Sequence, residues 1–384
     1  LRTCVHCGFC NATCPTYQEL GNELDGPRGR IYLMKQMFET SEVTESTRTH
    51  LDRCLSCRNC ETTCPSGVQY HKLLDLGRAA IEEMAPRPLR ERLRNRILRA
   101  VLPQRTLFKA SLVMGRALRP LLPGRIAAKI PAPPQAAGQR PLARHARVML
   151  MLEGCVQPDL SPNTNAAAAR ILDRLGIAIQ PTLEAGCCGA VDYHMNAHEA
   201  GLNKARRNID AWWPAIEGGA EAIIQTASGC GAFVKEYGYL LRDDPDYAEK
   251  ARRVSELTKD MVEILRSEKL ETLGIQADRR LAFHCPCTLQ HAQKLGGAVE
   301  GVLSRLGFSL TPVPESHLCC GSAGTYSITQ PELAQRLRDR KLNALESGSP
   351  EVIVTANIGC QMHLASAGRT TVRHWIELVD EALN

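Results

Sequence analysis

The sequence predicts an α+β multidomain protein: a helical, cysteine-rich N-terminal domain, a basic connecting segment, and two pseudo-symmetric α/β units. Three observations predict it. Eight of the seventeen cysteines fall in two C-x-x-C-x-x-C-x-x-x-C-P runs that end at Pro15 and Pro65. Residues 86–148 hold fifteen Lys or Arg against one acidic residue, Glu91, although the whole chain carries only +6. Beyond them, a set of spaced cysteine features occurs twice.

In the first region, residues 1–85, Asp25-Gly26-Pro27 is a helix start, and Ile31, Leu33, Met34, Met37 and Phe38 follow at helical spacing. Residues 86–144 contain prolines throughout, which predicts short helices joined by breaks, with a linker near Pro131 to Gly138. Residues 145–268 alternate strands (Val148 to Leu152, Ile177 to Ile179, Ala222 to Gln225) with helices (Asn165 to Leu175, His198 to Trp213). The same order returns over residues 275–384. Met149 to Cys155 reappears as Leu281 to Cys285, Cys187-Cys188-Gly189 as Cys319-Cys320-Gly321, and Gly229-Cys230 as Gly359-Cys360 after the strand Val352 to Asn357. The separations Cys155 to Cys187 and Cys285 to Cys319 are 32 and 34 positions, and Cys188 to Cys230 and Cys320 to Cys360 are 42 and 40. Two copies of one unit, related by an approximate two-fold axis with cysteines at strand ends, account for this agreement.

At 384 residues, 44% hydrophobic and 23% charged, the chain has the composition of a soluble globular protein of two or three domains. No stretch reaches the roughly 20 apolar residues of a spanning helix. Cysteines grouped as C-x-x-C and C-C suit thiolate ligands in a reducing compartment, so a cytoplasmic location is expected. Cys4 lies so near residue 1 that the chain is expected to begin after its natural start.

Iron in a cubane cluster takes four soft thiolates, and C-x-x-C-x-x-C presents three of them from one turn of backbone. In two-cluster proteins the fourth cysteine of each run, followed by Pro, serves the other cluster. The expected assignment is therefore one [4Fe-4S] cluster on Cys4, Cys7, Cys10 and Cys64, and a second on Cys54, Cys57, Cys60 and Cys14. A pair of zinc sites is the competing reading of C-x-x-C; two three-plus-one runs, each closed by C-P, disfavour it.

C-V-H-C-G-F-C-N-A-T-C-P-T-Y, D-G-P-R-G-R-I-Y-L-M-K-Q and L-D-R-C-L-S-C-R-N-C-E-T-T-C-P-S-G-V-Q-Y-H, followed by two C-C-G repeats, resemble the iron-sulfur subunit of bacterial glycolate oxidase. The resemblance spans nearly the whole chain. It implies a ferredoxin-like first domain that relays electrons from an FAD-containing dehydrogenase subunit, which oxidises glycolate or D-lactate, towards quinone. The repeats resemble those of the heterodisulfide reductase family, where they hold iron-sulfur clusters on five cysteines ending in C-x-x-C. This sequence departs from that pattern, with Cys230-Gly231-Ala232-Phe233 and Cys360-Gln361-Met362-His363 at the corresponding places. A third cluster is expected only in repeat two, on Cys285, Cys319, Cys320 and Cys360, with His284 and His363 as nearby cofactor-binding groups. Buried free cysteines are the alternative there and the favoured reading for repeat one. His374 and His71 are weaker candidates, since a lone His is more often packed or capping.

Residues 86–130 interleave Arg with Leu89, Leu93, Ile97, Leu98, Leu102, Leu107, Phe108, Leu112, Leu118 and Leu122. Such segments lie on anionic bilayers, dock acidic partners, or pack on their own protein. Peripheral binding to the inner face of the cell membrane is the expectation, and nucleic acid is not, because no binding motif accompanies the charge. No flavin or nicotinamide fingerprint is present, so substrate oxidation is assigned to a partner. A catalytic C-C-G cluster of disulfide-reductase type, or a purely scaffolding C-terminal half, are the alternatives.

Overall fold

The computed structural model describes residues 2–123 and 130–383. Among the described residues, the first 85 form helices and no strand. Both cysteine runs bend alike. His6 and Gly8 have φ of 55° and 87°, and Ser56 and Arg58, at the matching places, have 52° and 61°. Left-handed residues on either side of the central cysteine curl the backbone around a hollow, at roughly 1 kcal/mol for each non-glycine. The third cysteine of each run sits on a short helix, Phe9–Ala12 or Asn59–Thr63. The fourth, Cys14 or Cys64, is extended with ψ near 113° or 114°, as a following proline demands.

Helix Pro27–Thr40 begins on its proline and buries Ile31, Leu33, Met34 and Met37 in a core with Leu51, Leu74 and Ile81. Phe38, expected on that stripe, is instead 48% exposed, because the buried face runs through Arg30, Leu33, Met34 and Met37. The basic segment forms two helices, Leu89–Val101 and Arg105–Leu118. Arg87 ties its start to the first domain through Asp52 (2.6 and 2.8 Å) and Glu82, and Arg99 ties it to Asp192 of repeat one at 3.1 Å. Residues 131–145 contain no helix or strand, in keeping with the expected linker. The part of the expected basic segment at 124–129, including Arg125 and Lys129, lies outside the described residues.

Each C-terminal unit is built on a four-stranded parallel sheet. β1 (Arg147–Met151), β2 (Ile177–Gln180), β3 (Ile223–Gln225) and β4 (Thr258–Asp260) run in the order β2-β1-β3-β4. β5 (Arg280–His284), β6 (Ser309–Leu310), β7 (Val352–Thr355) and β8 (Val372–His374) repeat that order as β6-β5-β7-β8. Strands β4, β6 and β8 are two or three residues long, too short to show a period in the sequence. The units exchange helices reciprocally. Helix Trp375–Glu381, at the end of repeat two, packs on Asn163–Arg174 of repeat one, and Met261–Ser267, at the end of repeat one, packs on Ala298–Arg305 of repeat two. A two-fold axis produces such an exchange. One core therefore serves both sheets, joining Met149, Ile171 and Leu265 to Phe283, Leu303 and Trp375.

The C-C-G glycines permit a close approach of backbone to backbone. Gly189 and Gly321 have φ of 97° and 88°, and a Cβ on either would lie 2.5 Å from the Gly201 carbonyl oxygen or 2.6 Å from that of Ala334. Each glycine seats its cysteine pair against a helix backbone.

His374 seals the junction between repeats and is absent from the cysteine site. Its Nε2 donates to the Thr226 carbonyl at 2.8 Å, and its Nδ1 accepts from the Ile376 amide at 3.3 Å, so the ring is neutral. Burial holds it down to about 4, from an ordinary 6.5, against the opposing charge of Glu377. An unfolded chain takes up the proton more readily, so this stability is present above pH 6.5 and is lost as pH falls towards 4. The loss is expected to be on the order of 3 kcal/mol at most. Urea unfolding across that window should show a steeper pH dependence for the natural chain than for His374→Gln, which keeps the donor without the titration.

Candidate metal centres

Two hollows lie side by side in the first domain. Cys4, Cys7, Cys10 and Cys64 line the outer one, together with Val5, His6, Arg28 and Ile31. Cys14, Cys54, Cys57 and Cys60 line the inner one, with Arg30, Arg58, Tyr70 and His71. Each run thus sends its fourth cysteine into the other run's hollow, and Cys60 borders both. The extended residue before proline makes this crossing possible, because it turns the chain out of its own loop.

The hollows differ in exposure and charge. Cys7 is exposed, as are Val5 and Phe9 beside it, whereas Cys14, Cys54 and Cys60 are buried. Burial raises the Cys10 thiol to about 11 and pushes Cys57 and Cys60 well above the ordinary thiol range. Such thiols ionise only against positive charge. Four soft donors converging on each hollow fit an iron-sulfur group, whose iron supplies that charge. His71 is held by Glu61 at 2.7 Å and lies on the wall of the inner hollow.

The inner hollow abuts repeat two. Leu55 and Cys57 pack in one cluster with Cys287, Cys319 and Tyr326, and the nearby Cys287 adds to the burial that pushes the Cys57 thiol up. Asn59 locks the contact by donating to the carbonyls of Thr13 (2.9 Å) and His317 (3.1 Å). Thr62 meets His291 at 3.2 Å, and Tyr326 donates to the Arg53 carbonyl at 3.0 Å.

Within repeat two, the sulfurs of Cys287 and Cys319 are 3.9 Å apart, and Cys319, Cys320 and Cys360 interact in series. Ligand atoms of His284, Cys320 and Cys360 lie within 4.8 Å of one another. Both ring nitrogens of His284 are buried without a hydrogen-bond partner, and burial holds the ring neutral, leaving a lone pair free. The structure places the other two expected groups elsewhere. Cys285 belongs to the shared core of the repeats, with Phe283 and Leu289. His363 meets the Ala334 carbonyl at 3.1 Å and also bonds the backbone of Cys320, so it braces the turn instead of facing the sulfurs.

Cys287, an additional cysteine of repeat two in the sequence, was left out of the expected ligand set, yet it is the one that meets Cys319. Its signal was available, since Cys287 to Cys319 spans 32 positions, the same as Cys155 to Cys187. Matching the cysteine next to the strand, Cys285, obscured it. Repeat one also gathers its cysteines: Cys155, Cys187, Cys188 and Cys230 interact in series, and the Gly189 amide donates to the Cys187 sulfur at 3.5 Å.

A 4Fe-4S dicluster domain family matches residues 1–68, and the cysteine-rich CCG domain family matches residues 149–235 and 281–365. The chain is 69% identical over 383 residues to the glycolate oxidase iron-sulfur subunit of Escherichia coli, covering 100% of this chain and 94% of that protein. It belongs to the glycolate oxidase iron-sulfur subunit family. Lactate utilization protein A of Bacillus licheniformis is 27% identical over 236 residues, 60% of this chain and 96% of that protein. A crystal structure of a hypothetical Helicobacter pylori protein matches with a TM-score of 0.57 at 8% identity, over 94% of this chain and 68% of that one, and shows the fold alone. As a glycolate oxidase iron-sulfur subunit family member, the chain is an electron-transfer component of an oxidoreductase complex, and its iron-sulfur centres and partner subunit follow from that membership.

Proposed function

We propose that this chain carries electrons singly from an FAD-containing dehydrogenase subunit, which oxidises glycolate or a related 2-hydroxy acid such as D-lactate, towards quinone. The observation that carries the reading is the pair of adjoining four-thiol hollows, the inner of which has Cys57 on its wall packed against Cys287 and Cys319 of repeat two. Cys4, Cys7, Cys10 and Cys64 hold the outer [4Fe-4S] cluster, and Cys54, Cys57, Cys60 and Cys14 hold the inner. When bound, each cluster accepts and returns one electron without a change of bonding partners. Cys7 is the exposed edge, facing the flavoprotein, and Cys57 is the edge turned to repeat two. A third iron-sulfur centre rests on Cys319, Cys320 and Cys360, with Cys287 in place of Cys285 and with His284 at hand.

Iron content with low-temperature EPR of the reduced chain tests this reading. About twelve irons per chain is the expected result, about eight removes the third centre, and colourless protein holding zinc overturns the whole reading.

Among the described residues, no helix is long and apolar enough to cross a membrane. The basic segment supports peripheral binding instead. Helix Leu89–Val101 buries none of its residues, and Leu89, Leu93 and Ile97 are 77%, 58% and 53% exposed in a line beside exposed Arg90, Arg92 and Arg96. Apolar groups flanked by guanidinium suit the surface of an anionic bilayer on its cytoplasmic side. The complex is expected to float with anionic liposomes at low salt and to be released by Leu93→Glu with Ile97→Glu; a natural complex that stays with the soluble fraction counts against membrane binding.

A further inference from the structure

The two hollows have matching thiol sets but unlike electrostatic surroundings. Arg28, beside the outer hollow, is partly exposed and bound to Glu23 at 2.6 Å, so its charge is matched and screened. Arg30, beside the inner hollow, is 1% exposed. Its Nε donates to the His50 carbonyl at 2.7 Å and one terminal nitrogen to the Thr16 hydroxyl at 3.0 Å, while the other lies 4.0 Å from the Cys14 sulfur.

Arg30 lacks a dedicated counter-ion. Its nearest carboxylate, Asp25, is 3.7 Å away, and that carboxylate is engaged more closely by His50 (2.8 Å) and Arg53 (3.2 Å). A further guanidinium, Arg78, donates to the Cys54 carbonyl at 2.9 Å. The group as a whole therefore leaves positive charge beside Cys14 and Cys54. A buried cation whose carboxylate is shared with other cations is left incompletely compensated for its lost hydration. The anion that offsets this cost is the thiolate set of the inner hollow.

We infer that Arg30 raises the reduction potential of the inner cluster above that of the outer one, and so gives the relay its direction. This rests on the two-cluster reading above. One electron added within the inner hollow adds one negative charge there, and the fixed charge of Arg30 stabilises that state more than the oxidised one. The Tyr70 hydroxyl, 3.8 Å from the Cys54 sulfur, and the Ser56 amide, 3.4 Å from it, act in the same sense by donating to the ligand. The electron consequently rests on the centre that adjoins Cys287 and Cys319.

The test is a potentiometric titration of the intact chain followed by EPR. The natural chain should reduce in two separated steps. Arg30→Gln should lower the higher step and narrow the separation, leaving the lower step in place. Asp25→Asn, which removes the carboxylate and keeps Arg30, should move the higher step upward. Opposite shifts do not arise from mere loosening of the fold. If Arg30→Gln fails to retain iron, Asp25→Asn decides alone, and an unchanged or lowered higher step overturns the inference. Two signals that ignore both substitutions overturn it while leaving the clusters intact; absence of cluster signals in the natural chain overturns the underlying reading instead.

Discussion

Cys57→Ser is expected to abolish quinone-linked oxidation by the assembled complex while the dehydrogenase partner stays bound and is still reduced by its substrate. Serine offers a harder, more basic oxygen to iron that prefers thiolate. Loss of a direct ligand should cost at least the roughly 100-fold in metal affinity that loss of an outer-shell partner can cost. Cys57 also forms the contact with Cys287 and Cys319, so its loss removes both a ligand and the bridge to repeat two. Steady-state quinone reduction, beside substrate-driven bleaching of the flavin, separates these two functions. Quinone reduction that survives at the natural rate would refute the relay. A matched pair locates the next step: Cys287→Ser should slow electron flow, whereas Cys285→Ser, in the shared core, should leave it unchanged if the chain folds.

Gly321→Ala is expected to destabilise repeat two by about 2–5 kcal/mol and to lower its metal content. The left-handed backbone at φ 88° costs an alanine about 1–2 kcal/mol. The remainder arises because the new methyl would lie 2.6 Å from the Ala334 carbonyl oxygen and 3.0 Å from the Leu337 Cβ, and the former cannot yield without moving the helix Pro331–Glu346. Moving that helix displaces Cys320, the neighbour of His284 and Cys360. Thermal unfolding and metal analysis of the variant read both effects. Gly324→Ala is the control: φ is also positive, at 61°, but nothing lies within 4 Å of the added carbon, so it should cost the backbone portion alone.

The architecture was legible where chemistry fixes spacing. Two runs closed by C-P dictate crossed hollows, and twice-repeated cysteine intervals dictate twin sheets. Strands β4, β6 and β8 were not legible, because two or three residues carry no alternation and their place comes from pairing with longer neighbours. Position on the turn was the other blind spot. Cys285 and Cys287 are two residues apart, yet one enters the core and the other meets Cys319, a choice made by the backbone after β5. His363 shows the same limit from the opposite side. Expected near the cluster, it satisfies a backbone carbonyl in the fold, whereas His374 caps and packs as a lone His at a helix start more often does. Arg30 was visible only as one letter of Gly26-Pro27-Arg28-Gly29-Arg30-Ile31; its burial beside Cys14 comes from tertiary packing, which no local pattern encodes.

The cover that repeat two places over the Cys57 edge also bears on how the molecule is made. Asn59, Thr62 and Arg53 are bonded to His317, His291 and Tyr326, residues more than two hundred positions later in the chain. The Cys57 edge thus gains its cover only once the last third of the polypeptide has folded. The first domain is therefore complete in sequence before the residues that cover this edge have been translated. Cys7, exposed at the outer hollow, gains no such cover from the chain itself.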